Sequence, residues 1–241
     1  MAKGNIQASE LPTRVAVSPH TSRSEEELKR DYAERTTVIL DGAGALLEDD
    51  HFVYVNGEHG SGWVDKDVLN TQPNRVSELA AMLANLVEDW ELDWVCGPAI
   101  GGIVVAQWVA FHLGKPIVFA EHAAAEGSDL RGRFSLGRGY GECLESRRVL
   151  VVDDVVNSGH SLRQTVEAVQ AVRGNVIGVV AFVDRGNLGK EPFGNIPYRF
   201  LCPVSIPSWA ETECPAEILA RPVNTRYAHG RDYLAKKDSG S

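Results

Sequence analysis

The stretch that decides the fold is Arg148-Val-Leu-Val-Val-Asp153-Asp154-Val-Val-Asn157-Ser158-Gly159-His160-Ser161-Leu162. Its apolar run from Val149 to Val152 has the composition of a strand that is buried on both faces. Two adjacent carboxylates follow, and a short turn with glycine and hydroxyl groups then leads into a helix-like segment. A strand that passes through a polar turn into a helix is typical of a βαβ unit.

The same alternation of strand-like and helix-like segments extends to both sides of this stretch. Apolar strands between amphipathic helices imply right-handed crossovers and a parallel sheet flanked by helices. We therefore predict an α/β fold, with functional residues beyond the carboxyl ends of the strands. The predicted elements are helix Arg75–Trp90, strand Leu92–Cys96, helix Gly101–Leu113, strand Pro116–Ala120, strand Arg148–Val152, helix Ser161–Val172 and strand Val176–Val183.

The remaining segments are assigned by their composition. Residues 1–23 lack periodicity and are predicted to be a mobile arm. Residues 24–72 open with a capping-box helix and continue with two short strands, and we expect them to form a small hood together with the C-terminal segment 201–241. The α/β core spans 73–200, and its irregular stretch at about 121–146 is predicted to be a flap.

Composition excludes several classes of protein. Of 241 residues, 44% are hydrophobic and 24% are charged, which is the balance of a globular protein. The net charge of −9 argues against nucleic acid as a partner. The four cysteines show no C-x-x-C pairing, so we expect neither a zinc knuckle nor a disulfide framework. Without an apolar leader or membrane-length segment, we expect a cytoplasmic location and no membrane contact.

The turn after the strand has the chemistry of a phosphate site. Backbone N–H groups at a helix start, together with the positive end of the helix dipole, suit a phosphate monoester. Asp153 and Asp154 would repel that phosphate, so their natural partners are sugar hydroxyls and a hydrated Mg²⁺. The plain alternative is that the carboxylates merely end a strand and Ser158 merely caps a helix. The predicted phosphate-binding residues are Val155, Val156, Asn157, Ser158, Gly159, His160 and Ser161.

The joint pattern resembles the phosphoribosyl-diphosphate signature of the type I phosphoribosyltransferases. That family usually has Thr-Thr-Gly or Thr-Ser-Gly at 157–159, where this chain has Asn-Ser-Gly, and a small residue in place of His160. The resemblance covers about 42–214 and is strongest to the orotate phosphoribosyltransferases. It implies a pyrophosphate-binding loop at Pro98, Ala99, Ile100, Gly101 and Gly102, which on its own has the composition of an ordinary tight βα turn.

Other segments carry the same resemblance. The stretch Phe52 to Lys66 is similar to the family's Ser-Gly-x-His-Ser turn, with Gly60 in place of the last Ser, and it implies base-binding roles for Lys66 and His59. In the flap, the sequence is similar to a sub-branch with Phe-Ala-Glu-Arg and Leu-Arg-Arg-Gly-Phe. Here His122 and Gly137 each stand where that sub-branch has Arg, whereas Arg138 is retained.

The resemblance implies transfer of ribose 5-phosphate from 5-phosphoribosyl 1-diphosphate to orotate. Asp153, Asp154, Arg138 and His122 are the implied catalytic residues, with Mg²⁺ held through water by the two aspartates. We expect Lys66, Arg138 and His122 to converge on one cleft. The resemblance also implies a homodimer.

Two alternatives remain open: transfer to another nucleobase, and a non-catalytic regulator that binds the donor or a nucleotide. A dinucleotide-binding role for Gly42-Ala-Gly44 and a kinase-like P-loop are excluded, because the third glycine and a Gly-Lys-Ser/Thr triplet are missing.

Overall fold

The computed structural model describes residues 24–123, 133–137, 139–189 and 191–239. The predicted mobile arm, the tip of the predicted flap at 124–132, and Arg138 lie outside the described residues. None of the helices within the described ranges is long and apolar enough to cross a membrane.

The centre of the molecule is a six-stranded sheet in which five neighbouring strands are parallel and one edge strand is antiparallel. This architecture confirms the predicted α/β fold. In spatial order the strands are β10 (Tyr198–Pro203), β9 (Asn175–Asp184), β8 (Arg148–Val156), β5 (Trp94–Pro98), β6 (Ile117–His122) and the antiparallel β7 (Phe134–Ser135).

Helices cover both faces of this sheet, as the alternation of side chains along β8 shows. Leu150 and Val152 lie in one apolar cluster, whereas Val149 and Val151 lie in the other. The first cluster packs under α1 (Glu25–Gly42), α3 (Pro73–Leu86) and α4 (Gly101–Leu113), and the second packs under α5 (Tyr140–Leu144) and α6 (His160–Ala171).

Helix α1 begins with the capping box that the sequence predicts. The Ser24 hydroxyl accepts a hydrogen bond from the Glu27 amide at 3.2 Å, and the Glu27 carboxylate accepts one from the Ser24 amide at 2.9 Å. These reciprocal bonds satisfy amides that a helix start otherwise leaves without partners.

A small hood is built from both ends of the chain. Strands β2 (Phe52–Val53) and β3 (His59–Gly60) pair as the predicted hairpin, and β11 (Ser208–Trp209) from the C-terminal segment pairs with β3. The remaining elements are β1 (Leu46–Leu47), β4 (Trp63–Val64), α2 (Lys66–Asn70), a 3-10 turn at Glu211–Glu213, α7 (Ala216–Leu219) and α8 (Gly230–Asp238).

The structure corrects the predicted end of the decisive strand. Strand β8 does not stop at Val152 but continues to Val156, so both aspartates belong to the strand. The reason is that β9 reaches Asp184 and supplies partners along the whole length, with Asp153 opposite Ala181 and Val155 opposite Val183. Strand β10, which pairs with β9 along its other side, was not predicted.

Candidate active site

The carboxylate pair lies near the carboxyl end of the central strand β8. Asp153 is 8% exposed and Asp154 is 1% exposed. Each side chain folds back onto the next residue, so that the Asp154 amide donates to Asp153 Oδ1 at 2.9 Å and the Val155 amide donates to Asp154 Oδ1 at 2.6 Å. Burial raises the pKa of both carboxyls; the neighbouring Asp154 charge raises that of Asp153 further, while Lys66 opposes the rise at Asp154.

Lys66 is the cation that faces this pair. It is the first residue of α2, a helix whose start is fixed by Asp65, because that side chain accepts hydrogen bonds from the amides of Asp67 and Val68. Lys66 Nζ lies 3.4 Å from Asp154 Oδ2. Burial by itself would lower the pKa of Lys66, but the charges of Asp154 and Asp153 outweigh it and the pKa is raised. The ammonium group therefore stays charged.

One oxygen of this arrangement is left without a hydrogen bond. Asp154 Oδ2 is buried and accepts no hydrogen bond from any described residue. An ion pair at 3.4 Å leaves lone pairs unused, and a buried carboxylate oxygen without donors costs free energy. This oxygen can therefore accept a hydrogen bond from a bound ligand.

The loop between β5 and α4 passes directly over the two carboxylates. A Cβ atom built on Gly101 would lie 1.9 Å from Asp154 Oδ2 and 3.2 Å from Lys66 Nζ. One built on Gly102 would lie 2.4 Å from the Pro98 ring and 3.1 Å from Asp153 Oδ1. The loop approaches so closely because both positions lack a side chain. The predicted pyrophosphate loop, the carboxylates and Lys66 thus meet in one place, although Ile100 itself is 83% exposed.

The predicted phosphate cradle lies between β8 and α6. Gly159 is the N-cap of α6. Its φ of 71° lies in the left-handed region, and this conformation directs the backbone from the turn into the helix. Amides of the first helical turn, at Ser161 and Leu162, have no partner within the helix. Ser158 and Ser161 are exposed, and the His160 amide donates to the Ser158 hydroxyl at 3.4 Å.

Val155 and Val156, which were predicted to belong to this turn, are strand residues instead. The Val156 carbonyl accepts hydrogen bonds from the Arg185 amide at 2.8 Å and the Gly186 amide at 3.1 Å. The turn of the predicted cradle therefore starts at Asn157.

The expected convergence of three cations can be followed for two of them. His122 ends β6 with an exposed side chain, and its ring contacts Phe134 of β7 with 4.5 Å between centroids. Within the described ranges, no hydrogen bond or ion pair joins the His122 side chain to Lys66 or to the carboxylates. Arg138 lies outside the described residues. Of the two cations that the structure describes, only Lys66 contacts the carboxylates.

His59 does not reach the cleft. Its side chain is fully buried in the hood, where Nδ1 lies 2.7 Å from His51 Nε2 and the ring meets Tyr233 edge-on at 5.2 Å. His51 Nδ1 in turn lies 3.0 Å from the Arg221 carbonyl oxygen. Because the ring is enclosed by the hood and the C-terminal segment, this conformation offers no surface of His59 to a base, contrary to the prediction.

Arg185 is a candidate that the sequence analysis missed. It follows the last residue of β9, and its guanidinium lies 4.3 Å from the centre of the Tyr54 ring. Its backbone is tied to the end of β8 through the Val156 carbonyl. The signal was available, because Arg185 stands just beyond the predicted strand Val176–Val183, where the carboxyl-end rule places functional residues.

Comparison with known proteins gives the family. The family model of the phosphoribosyl transferase domain matches residues 65–214, a range that contains Lys66, the glycine loop, the carboxylate pair and the cradle. The chain belongs to the phosphoribosyltransferase family.

Relatives with curated names agree with this assignment. The chain is 36% identical over 172 residues to an orotate phosphoribosyltransferase of Thermus thermophilus, covering 71% of this chain and 88% of that protein. It is 34% identical over 170 residues to the orotate phosphoribosyltransferase of Caldanaerobacter subterraneus, covering 70% and 84%.

Solved structures show the same fold. The orotate phosphoribosyltransferase of Mycobacterium tuberculosis in complex with inorganic phosphate has a TM-score of 0.55 at 23% identity, covering 72% of this chain and 96% of that one. The enzyme from Aeropyrum pernix has a TM-score of 0.53 at 24% identity, covering 70% and 93%.

The carboxylate pair of this phosphoribosyltransferase fits a magnesium ion that takes only some of its ligands from the protein. The described residues contain no group of three or more His, Cys, Asp or Glu side chains that could hold a metal ion by themselves. Mg²⁺ commonly uses one or two carboxylates and completes its shell with water and substrate oxygens. Asp153 and Asp154 offer such a partial set, and Asp154 Oδ2 has unused lone pairs.

A prediction follows from the close approach of the glycine loop. We expect Gly101→Ala to lower kcat/KM for the phosphoribosyl donor by more than tenfold, about 1.4 kcal/mol, because the new methyl group would overlap Asp154 Oδ2. Steady-state kinetics measures the loss, and thermal unfolding should show that the variant is folded.

Gly42→Ala at the end of α1 is the matched control, since its Cβ would meet the Arg75 guanidinium at 2.7 Å, the far end of a flexible side chain, and leave the loop untouched. A Gly101→Ala protein with the kinetics of this control would contradict the assigned loop geometry.

Proposed function

We propose that this phosphoribosyltransferase uses orotate as its acceptor. The reaction transfers ribose 5-phosphate from 5-phospho-α-D-ribose 1-diphosphate to N1 of orotate, and gives orotidine 5′-monophosphate and pyrophosphate on the route to UMP. The observation that carries the proposal is the meeting of Lys66, the Gly101-Gly102 loop and the buried pair Asp153 and Asp154 at the strand that leads into the turn from Asn157 to Ser161. The names of the curated relatives support orotate as the acceptor.

The donor fits this arrangement in one direction. Its 5′-phosphate binds at the turn from Asn157 to Ser161, where amides and hydroxyl groups donate. The ribose hydroxyls donate to the carboxylates, which gives Asp154 Oδ2 a hydrogen bond in addition to its ion pair with Lys66. The diphosphate then lies along the loop from Pro98 to Gly102, where glycines allow the backbone to come close.

Lys66 acts on the leaving group in this proposal, although the sequence resemblance implied a base-binding role. Its Nζ lies within reach of both Asp154 and the Gly101 position. As the C1′–O bond breaks, positive charge grows on the ribose beside the carboxylates and negative charge grows on the diphosphate beside Lys66. Preorganised charges of opposite sign stabilise such a transition state.

Mg²⁺ would be held by Asp153 and Asp154 through water. When bound, it supplies positive charge that neutralises the diphosphate oxygens. The chain's own residues position the ribose and the leaving group on either side of that charge.

Arg185 is proposed to face the acceptor. Orotate carries a carboxylate. The Arg185 amide is bonded to the end of β8 and its guanidinium lies on the Tyr54 ring, without an ion pair to any carboxylate in the described ranges. His122 and Arg138 remain proposed as flap residues that close over the diphosphate and exclude water, which would otherwise hydrolyse the donor.

A homodimer and a cytoplasmic location also remain proposals, and the four free cysteines agree with a reducing compartment.

The first experiment compares acceptors. Pyrophosphate release is measured with the diphosphate donor and Mg²⁺ in the presence of orotate, uracil, adenine or hypoxanthine. We expect turnover with orotate and at least a hundredfold less with the other bases, since they lack the carboxylate that Arg185 would bind. Preferred turnover of another base would overturn the acceptor assignment. Donor binding without any turnover would favour the non-catalytic regulator. This alternative is suggested by His122 and Gly137, which stand where the similar sub-branch has flap arginines.

The second experiment removes one charge from the buried pair. We expect Asp154→Asn to lower kcat more than tenfold, about 1.4 kcal/mol, because the amide neither balances ribose charge nor holds the ion. Asp41→Asn, the same change at an exposed position of α1, serves as control and should keep wild-type kcat. Equal kcat for the two variants would remove Asp154 from the mechanism.

A further inference from the structure

We propose that Tyr54 is a positioning residue that holds Arg185 towards the acceptor, and that Gly60 is the substitution that makes room for it. The inference rests on the proposed function, which it deepens by naming the residues that orient the acceptor-side cation. It concerns two hood positions that contact each other, rather than a residue that touches substrate.

The first step is the contact between the hood and Arg185. The guanidinium carbon lies 4.3 Å from the centre of the Tyr54 ring and 5.6 Å from the Trp63 ring. The two rings are stacked, with 6.3 Å between centroids and 21° between planes. A guanidinium is attracted to the face of an aromatic ring and keeps its full charge there. Arg185 is thus held in place without an ion pair to a carboxylate of any residue that the structure describes.

The second step is that Tyr54 itself has a fixed position. Its side chain is 6% exposed, and its hydroxyl donates to the Gly62 carbonyl at 2.7 Å. The Tyr54 amide donates to the Glu58 carbonyl at 2.8 Å across the hairpin turn. With backbone and hydroxyl both bonded inside the hood, the ring presents one face to Arg185.

The third step concerns Gly60. A Cβ atom at this position would lie 2.2 Å from the Tyr54 hydroxyl oxygen and 2.6 Å from a ring carbon. Such distances are impossible without displacing the phenol, which its bond to Gly62 and its burial oppose. Where the family turn usually has Ser, this chain has glycine, and the phenol of Tyr54 fills the space of the missing side chain.

Arg185 therefore connects the hood with the end of strand β8. The Arg185 amide is bonded to the end of β8, whereas its side chain rests on hood residues. Tyr54 therefore sets where the Arg185 charge lies relative to the cradle. Loss of the ring should weaken acceptor binding selectively and leave donor binding intact.

The test compares two changes at Tyr54. We expect Tyr54→Leu to raise KM for orotate at least tenfold, with KM for the donor within about twofold of wild type. Tyr54→Phe keeps the ring face and should stay within about threefold for both substrates. Tyr227→Leu is the matched control, because Tyr227 also lies beside an arginine, Arg226 at 5.1 Å, but in the C-terminal segment. Equal changes in both KM values, or a Phe variant as poor as the Leu variant, would overturn the positioning role.

A double-mutant cycle tests the pairing with Gly60. Gly60→Ser alone should lower the melting temperature and raise KM for orotate, because the new side chain would displace the phenol. Added to Tyr54→Leu, the same change should have no further effect on either quantity. Additive effects would overturn the pairing.

The two readouts separate this inference from the proposed function. If the wild-type protein does not turn over orotate, the proposed function fails, and the claim that Tyr54 orients an acceptor fails with it. The melting temperatures of the cycle still decide whether Tyr54 and Gly60 are a pair. If orotate is turned over but the selective rise in its KM is absent, only the inference fails.

Discussion

Two adjacent carboxylates are buried at the carboxyl end of an apolar parallel sheet. The residues around them offset part of the free-energy cost of burying these two acidic groups. Burial raises the pKa of both Asp153 and Asp154, and only Lys66 supplies opposite charge from the described residues next to them. The neighbouring loop can approach because Gly101 and Gly102 have no side chains. We propose that a ligand with hydroxyl groups, a diphosphate and a bound cation completes this site, and a phosphoribosyl diphosphate has these groups.

The sequence predicts the parts of the fold that depend on local pattern. Apolar runs and helical periodicity identify the parallel strands β5, β6, β8 and β9 and the helices α3, α4 and α6, and Ser24 with Glu27 identifies the start of α1. Strand β7 and helix α5, which lie within the predicted flap, were not predicted. The end of β8 was misplaced because two aspartates interrupt the apolar run and resemble turn residues. Their place in the sheet is decided by the length of β9, which local pattern does not contain.

Long-range contacts decide the rest of the site. Lys66 was identified through its neighbours in sequence, but its contact with Asp154 depends on how α2 packs against α3 and α4. His59 belongs to a matching turn and was assigned to the base, yet the C-terminal segment encloses it. Arg185 was overlooked because it lies outside the motifs that carry the resemblance, and its proposed role depends on its contact with Tyr54 of the hood.

A titration of ¹⁵N-labelled protein with ribose 5-phosphate, followed through backbone amide resonances, measures most directly whether the turn after β8 binds a sugar phosphate. Saturable shifts should appear at the amides from Asn157 to Leu162, because these groups lie at the start of α6 and donate to the phosphate. Ribose without phosphate should leave those resonances unmoved. Saturable binding of ribose 5-phosphate with no shift between Asn157 and Leu162, or no binding at all, would contradict the assignment of the cradle.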